Sequence, residues 1–451
     1  MIDADARQRF HADLRAKLPG HAERATWSAE PIADHQRDQL RLLLAHAKEH
    51  SRHYAERLRN VDPSTFELED LRRLPVLHKA EMMERFDDIV TVPALGRDVV
   101  EAHLERSGAE LDLLADHLCL ASGGSSGQRG VYLWRWDAMS DYTLGCLRRS
   151  LAQVAALGAG PGEVAFASVS APAPIHATNA IGALLSGDLL EVHRLSATWP
   201  IERIVAELDE LQPLGLTAFP SVLVRLAREQ LAGRLNLHLL AVSGTSEPFP
   251  AAAQTLVAQA FGIPPTNVFG STEGLCGSSV AGEIPIDLSC DLAIVELVDS
   301  HGAPVPPGTP SSRVLVTSLV NRTQPLVRFV LDDSVVQQPP AADHGHIRVT
   351  VDGRSDEAFR YGDIVVHPIT IRSVMVHQRH IAEYRAHQTE RGVTLEVLES
   401  GPVDHDALTT ELAHARADAG MPAAQVRVLV SDAIPGHPGT GKVQRFVSMS
   451  R

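Results

Sequence analysis

The chain has 451 residues, is 44% apolar and 4% aromatic, and carries a formal net charge of −15. That length predicts two domains, or one large domain with a small one attached. No apolar run approaches the roughly 18–20 residues of a membrane span, and an acidic balance with no basic run excludes nucleic acid as a main partner. The start, MIDADAR, is acidic and lacks an apolar segment behind it, unlike a secretory signal. Cys119, Cys146, Cys276 and Cys290 are dispersed without a CxxC pair. They read as reduced thiols in a cytoplasmic protein, without structural zinc.

In chain order, residues 36–58 predict a helix, with Leu40, Leu43, Leu44, Ala47, Tyr54 and Leu58 on one face. A dimer face and packing on the chain's own core explain that stripe equally well. Residues 61–115 read as short helices and loops. From about 130 to 350, short apolar runs (163–169, 216–219, 237–242, 267–269) alternate with helical stretches (138–156, 200–211, 221–233, 251–260). Such alternation predicts α/β layers. Strands at 292–299 and 312–320 flank the turn Gly302–Gly308 and predict a β subdomain. Beyond about 355 lie a helix at 369–379, strands at 382–388, 393–399 and 425–430, and a helix at 405–418 closed by Gly420. The expected fold is therefore α/β. A large N-terminal domain (1–355) of layered α/β subdomains plus a β subdomain, with its helical part over about 1–115, is followed by a small mobile α+β C-terminal domain (356–451).

Four separated segments carry chemistry. Leu120–Gly130 (LASGGSSGQRG) holds four glycines and three serines in eleven residues. Its backbone N–H groups can line an anion-sized concavity, to which the hydroxyls add donors. Phe269–Gly274 (FGSTEG) ends a short strand with a hydroxyl and a carboxylate, a hard oxygen ligand suited to Mg²⁺ on a triphosphate. Leu326–Asp333 ends in a strand-terminal aspartate suited to two ribose hydroxyls, with Arg354 some twenty residues on. Ile434–Arg445 (IPGHPGTGKVQR) matches GxxxxGK, but Val443 stands at the Ser/Thr position of a Walker A loop and only nine residues follow Lys442. It reads instead as a glycine-rich arm presenting one lysine. Each segment alone is equally an ordinary loop, turn or strand end; their combination and order carry the reading.

In that order and spacing the chain resembles the acyl-adenylate-forming superfamily, and in particular its phenylacetate–CoA ligase branch. Leu43–Leu58 and Leu74-Pro-Val-Leu-His-Lys79 support the branch. The resemblance implies ATP-dependent activation of an aryl carboxylic acid as acyl-AMP with pyrophosphate release, then transfer to CoA. It assigns Ser122, Gly124, Ser125, Ser126 and Gly127 to the phosphates. Gly244, Thr245, Ser246 and Glu247 go to the adenine pocket. Phe269, Gly270, Ser271 and Thr272 go to nucleotide and acyl carboxylate, Glu273 to Mg²⁺, and Asp333 and Arg354 to ribose. Asp356 becomes the hinge and Lys442 the catalyst of adenylation, with Glu273 and Thr272 beside it. His176, Phe219 and Gly244 are candidate acyl-pocket residues. In the hinge loop Asp363 stands where the branch has glycine beside the pantetheine tunnel. That departure keeps open an adenylating enzyme with another acceptor: an amine, a carrier-protein thiol, or nitrite in N–N bond formation.

Overall fold

A nine-stranded sheet between Ala165 and Arg354 organises the chain. The computed structural model describes residues 4–106, 111–121, 130–156, 165–170, 177–187, 191–197, 199, 201–331, 333–354, 359–362, 364–366, 369–375, 378, 380–399, 401–418, 421–435 and 444–449.

The N-terminal part is helical: α1 (Ala4–Arg24), α2 (Ala29–His50), α3 (Arg52–Arg57), α4 (Lys79–Glu84), α5 (Phe86–Ile89) and α6 (Arg97–Arg106). The single helix expected over 36–58 is two. Ser51 is extended at φ −118°, and its hydroxyl oxygen accepts the Tyr54 N–H, capping α3. The expected apolar stripe is buried in the chain's own core, with Leu40, Leu43, Leu44 and Ala47 inaccessible. Periodicity does not announce α1, because polar bonds secure it as much as Phe10 and Leu14 do. Lys17 Nζ reaches Asp141 and the Asp137 carbonyl, each at 2.8 Å, and Arg24 Nε reaches Asp291 at 3.0 Å.

β1 (His117–Ala121) and β2 (Val131–Arg135) form an antiparallel hairpin, and α7 (Trp136–Ala156) follows directly. Strands then alternate with helices: β3 (Ala165–Ser170), α8 (Ala177–Leu185), β4 (Glu191–Ser196), α9 (Ile201–Leu211), β5 (Gly215–Ala218), α10 (Pro220–Leu231), β6 (Ala241–Thr245), α11 (Ala251–Phe261) and β7 (Thr266–Gly270). β4, β3, β5, β6 and β7 pair in parallel, as alternation requires. The strand expected over 237–242 begins only at Ala241; Leu237 and Leu239 are buried outside the ladder.

β8 (Cys276–Ser279) and β9 (Ile286–Leu288) extend the sheet antiparallel. β10 (Ala293–Val298), β11 (Arg313–Ser318) and β12 (Phe329–Leu331) form a separate three-stranded sheet. β13 (Asp333–Gln337) and β14 (Arg348–Arg354) complete the large one in the order β13-β14-β9-β8-β7-β6-β5-β3-β4.

The C-terminal segment contains the hairpin β15 (Phe359–Tyr361) and β16 (Ile364–Val366), then α12 (Ile369–Met375). β17 (Ile381–Thr389), β18 (Gly392–Glu399), α13 (His405–Asp418), β19 (Gln425–Val430) and β20 (Phe446–Val447) follow, with the sheet order β19-β18-β17-β20. It has its own apolar cluster, running from Phe359 through Leu395 and Leu412 to Phe446. Among the described residues no helix is long and apolar enough to cross a membrane.

Candidate active site

The site forms where the sheet changes from parallel to antiparallel. β7 runs parallel to β6, turns through Ser271–Gly274, and returns as β8 antiparallel to itself. The turn is closed by Gly274 N–H to the Ser271 carbonyl at 3.0 Å and Ser271 N–H to the Leu275 carbonyl at 2.8 Å. Gly274 has φ +108°, and a Cβ there would stand 2.8 Å from Ser318 Oγ, so glycine is required. Two aromatic side chains hold the turn from behind: Tyr142 OH donates to the Ser271 carbonyl (2.9 Å) and Trp134 Nε1 to the Thr272 carbonyl (3.1 Å). The backbone is thereby fixed, with Ser271 and Thr272 half-buried and Glu273 buried.

Glu273 is met by two residues that sequence reasoning did not single out as site residues. Tyr132 OH donates to Glu273 Oε1 at 2.7 Å, and Lys79 Nζ lies 3.9 Å from the same oxygen. Both residues are delivered by built supports. β2 is clamped by Gln324, which accepts the Leu133 N–H at 2.9 Å, and by Asn321, which donates to the Leu133 carbonyl at 2.9 Å. The turn before Lys79 is held by Arg328, whose guanidinium donates to the Leu74 carbonyl (2.6 Å) and pairs through two bonds with Glu296. Leu77 N–H also donates to the Arg328 carbonyl at 3.0 Å. The Leu74–Lys79 motif and the segment leading to Asp333 are thus one structural unit.

The glycine-rich segment links β1 to β2, with Ala121 opposite Val131 in the ladder. It therefore starts and ends beside Tyr132. Ser122, Gly124, Ser125, Ser126 and Gly127 lie outside the described residues, as do His176, Asp356, Asp363 and Lys442. A Cβ on Gly130 would meet Tyr132 OH at 2.6 Å, so the loop's exit presses on the phenol that holds Glu273.

The carboxyl ends of the parallel strands place the other candidates on the same edge. β6 ends in Gly244 and Thr245, both buried, and Ser246 follows with φ +66°. Its hydroxyl lies 3.3 Å from that of Thr178 on α8. Glu247 Oε2 accepts the Ser221 N–H at 3.0 Å, capping α10, and burial pushes its carboxyl up while Arg445 works against that shift. Phe219, the N-cap residue of α10, is 1% exposed and belongs to the apolar cluster that includes Val222, Leu223 and Phe249. Asp333 and Arg354 stand directly opposite each other in β13 and β14. The two residues expected at the ribose are therefore backbone neighbours.

The donor set suits Mg²⁺ in one respect. Among the described residues no group of three or more His, Cys, Asp or Glu side chains converges. Mg²⁺ commonly binds through one or two carboxylates, with phosphate and water oxygens completing its shell. A single buried carboxylate, that of Glu273, fits that pattern.

No family model matches the sequence, and no curated protein matches it. Solved structures do. 2-Hydroxyisobutyryl-CoA ligase in the postadenylation state with 2-HIB-AMP matches with TM-score 0.72 at 18% identity, covering 94% of this chain and 91% of that one. The same ligase in the thioesterification state, with 2-HIB-AMP and CoA, matches at 0.56 with 18% identity and the same coverage of 94% and 91%. A benzoate CoA ligase from Burkholderia xenovorans LB400 matches at 0.52 with 16% identity, over 75% of this chain and 69% of that one. The chain shares the fold of these CoA ligases.

Proposed function

We propose that this protein is an ATP-dependent acid–CoA ligase of the phenylacetate–CoA ligase type. It would convert an aryl carboxylic acid and ATP to acyl-AMP and pyrophosphate, and then acyl-AMP and CoA to acyl-CoA and AMP. The observation that carries the reading is the convergence of Tyr132, Lys79 and Glu273 at the β7–β8 turn, beside both ends of the glycine-rich segment. The resemblance to the phenylacetate branch supports an aryl acid.

A carboxylate is a poor electrophile, and coupling it to AMP supplies a leaving group. In this reading Mg²⁺ held by Glu273 would supply charge neutralisation on the phosphates. Tyr132 fixes the rotamer of Glu273 and occupies one lone pair of Oε1. Lys79 brings positive charge to the same oxygen. The backbone of Gly270–Thr272, pinned by Tyr142 and Trp134, presents its groups to the nucleotide and the acyl carboxylate. Thr245 and Ser246 border the adenine, Asp333 and Arg354 the ribose, and Lys442 stabilises the charge that builds during attack on the α-phosphate. The domain boundary falls near 355, consistent with the separate core from Phe359 to Phe446.

A second reading, a non-CoA acceptor such as an amine, a carrier-protein thiol or nitrite, is favoured by Asp363, which by the resemblance stands where the branch has glycine beside the pantetheine tunnel. One experiment tests both: pyrophosphate release from ATP and Mg²⁺ with a panel of aryl acids, with and without CoA. Multiple turnover only with CoA supports the ligase. About one equivalent regardless of CoA supports the second reading. No release with any acid overturns both.

A further inference from the structure

One face of the parallel strands carries a row of polar side chains. Ala167 and Val169 of β3 and Leu216 and Ala218 of β5 belong to one apolar cluster with residues of α10 and α11. Alternation therefore turns Ser168, Ser170 and Thr217 to the opposite face. The register sets Arg194, Ser168, Thr217, Ser243 and Thr266 side by side across β4, β3, β5, β6 and β7. Parallel strands buried on both faces normally carry apolar side chains on both. α8 covers this polar face: Arg194 Nη1 donates to Asn179 Oδ1 at 2.9 Å, and its Cδ would stand 3.6 Å from a Cβ on Gly182.

The two ends of the row are satisfied. Arg194 has Asn179, and the Ser243 and Thr266 hydroxyls lie 2.7 Å apart. Between them the face is left open. Ser170, at the carboxyl end of β3, is 2% exposed, yet its hydroxyl has no hydrogen-bond partner. Thr217 is half-buried, although β5 lies between β3 and β6 and its other residues are buried. A side chain on a central strand is accessible only where space lies over it. The next residue that alternation would turn to this face, Phe219, is the N-cap of α10 and joins the opposite cluster. Thr245 of β6 stands level with Ser170, two strand spacings or about 10 Å away. Beside it, the Ser246 hydroxyl meets that of Thr178 on α8 at 3.3 Å. The open stretch therefore adjoins the edge that carries the nucleotide candidates.

We propose that Ser170 and Thr217 form a polar subsite for the acyl group, and that the acid this protein activates is an aryl acid with a hydroxyl on its ring. This rests on the adenylation reading above, which puts the acyl carboxylate at Gly270–Thr272 on the same edge of the sheet. From there the rest of the acid extends across β6 toward β5 and β3. A ring hydroxyl both donates and accepts, so it can pair with Ser170 Oγ and Thr217 Oγ1 together. An unsubstituted ring would leave the Ser170 hydroxyl unpaired and take water from Thr217 without replacing its bonds. A site that offers buried hydroxyls discriminates against such an acid. A pocket for a bare ring would need apolar side chains at these two positions.

The test compares matched acids on the wild-type protein: benzoate, phenylacetate and cinnamate, each with its meta- and para-hydroxy derivatives, by pyrophosphate release with ATP and Mg²⁺. At least one hydroxylated acid should exceed its parent in kcat/KM by about tenfold or more, mainly through KM. Ser170→Ala and Thr217→Val should each cut that ratio by about fivefold or more. Ser170→Ala should leave the thermal midpoint of the ligand-free protein no lower than wild type, because its hydroxyl holds nothing there. Parents preferred throughout, ratios unchanged in both variants, or a midpoint lowered by Ser170→Ala overturns the proposal. If no acid releases pyrophosphate, the adenylation reading falls. Calorimetric binding of the same acids to wild type and Ser170→Ala then decides the subsite by itself: tighter binding of a hydroxylated acid, lost in the variant, supports it, and equal binding within every set overturns it.

Discussion

Tyr132 OH donates to Glu273 Oε1 at 2.7 Å, across 141 positions of sequence. The bond joins the strand leaving the glycine-rich segment to the carboxylate of the β7–β8 turn. It therefore sets the Glu273 rotamer from the side where the phosphates are expected. Removing the hydroxyl with Tyr132→Phe leaves the ring packed and frees the carboxylate to rotate. Pyrophosphate release should fall about tenfold, with the half-saturating Mg²⁺ concentration raised, and the thermal midpoint should shift by only about 1 kcal/mol equivalent. Titrating Mg²⁺ against initial rate checks this, and an unchanged Mg²⁺ dependence would remove Tyr132 from the site.

Gly274→Ala attacks the same turn through its backbone. At φ +108° an L side chain is strained, and its Cβ would stand 2.8 Å from Ser318 Oγ and 3.2 Å from Trp134 Cη2. Displacing Trp134 would loosen its bond to the Thr272 carbonyl. The expected cost is about 2–4 kcal/mol in urea unfolding, with adenylation reduced in the fraction that folds. A loss under about 0.5 kcal/mol would show that the turn relaxes freely.

Much of this architecture is legible in the sequence, and the reason differs by element. The parallel strands β3, β5 and β7 are short apolar runs separated by helices, a pattern imposed by burial on both faces, whereas the edge strand β4, EVHRLS, is half polar and is not announced. The Phe269–Gly274 turn declares itself through its glycines and its Ser-Thr-Glu polarity, and Asp333 and Arg354 prove to be cross-strand neighbours. The partners of Glu273 are not legible. Tyr132 reads as one more residue of an apolar strand, and Lys79 as the end of an LP…K turn. Only the long-range clamps by Gln324, Asn321 and Arg328 bring them to the carboxylate. α1 escapes periodicity because Lys17, His21 and Arg24 hold it through Asp141 and Asp291. Charges at a buried helix face look like a solvated face until their partners are known.

Asp291 gives that network a pH signature. Burial alone would raise its carboxyl, but the charges of Arg148 and His346 and the hydrogen bonds from Arg148 and Arg24 prevail and hold it at about 2, against an ordinary value of 3.8. A depressed native value means that the unfolded chain binds the proton first as pH falls. The stabilisation is complete above about pH 4 and is lost as pH drops toward 2, amounting to about 2 kcal/mol at most. Asp291→Asn should flatten that part of the acid unfolding profile. It should also lower stability at neutral pH by about 3–5 kcal/mol, since Arg148, buried beside it, loses its counter-charge. Urea midpoints at pH 3, 5 and 7 test both effects; parallel wild-type and variant curves from pH 5 to 3 would assign the acid sensitivity elsewhere.

In the proposed reading Lys442 serves only the first half-reaction. In the adenylation reading its ammonium stabilises charge on the α-phosphate as the acyl oxygen attacks, and it has no part in thiol attack on acyl-AMP. Lys442→Ala should therefore reduce pyrophosphate release by about 10²–10³-fold, while CoA-dependent consumption of supplied acyl-AMP remains within a few-fold of wild type. If Lys442→Ala slowed both half-reactions equally, Lys442 would be a structural residue, and another cation, with Lys79 the first to examine, would have to serve the α-phosphate.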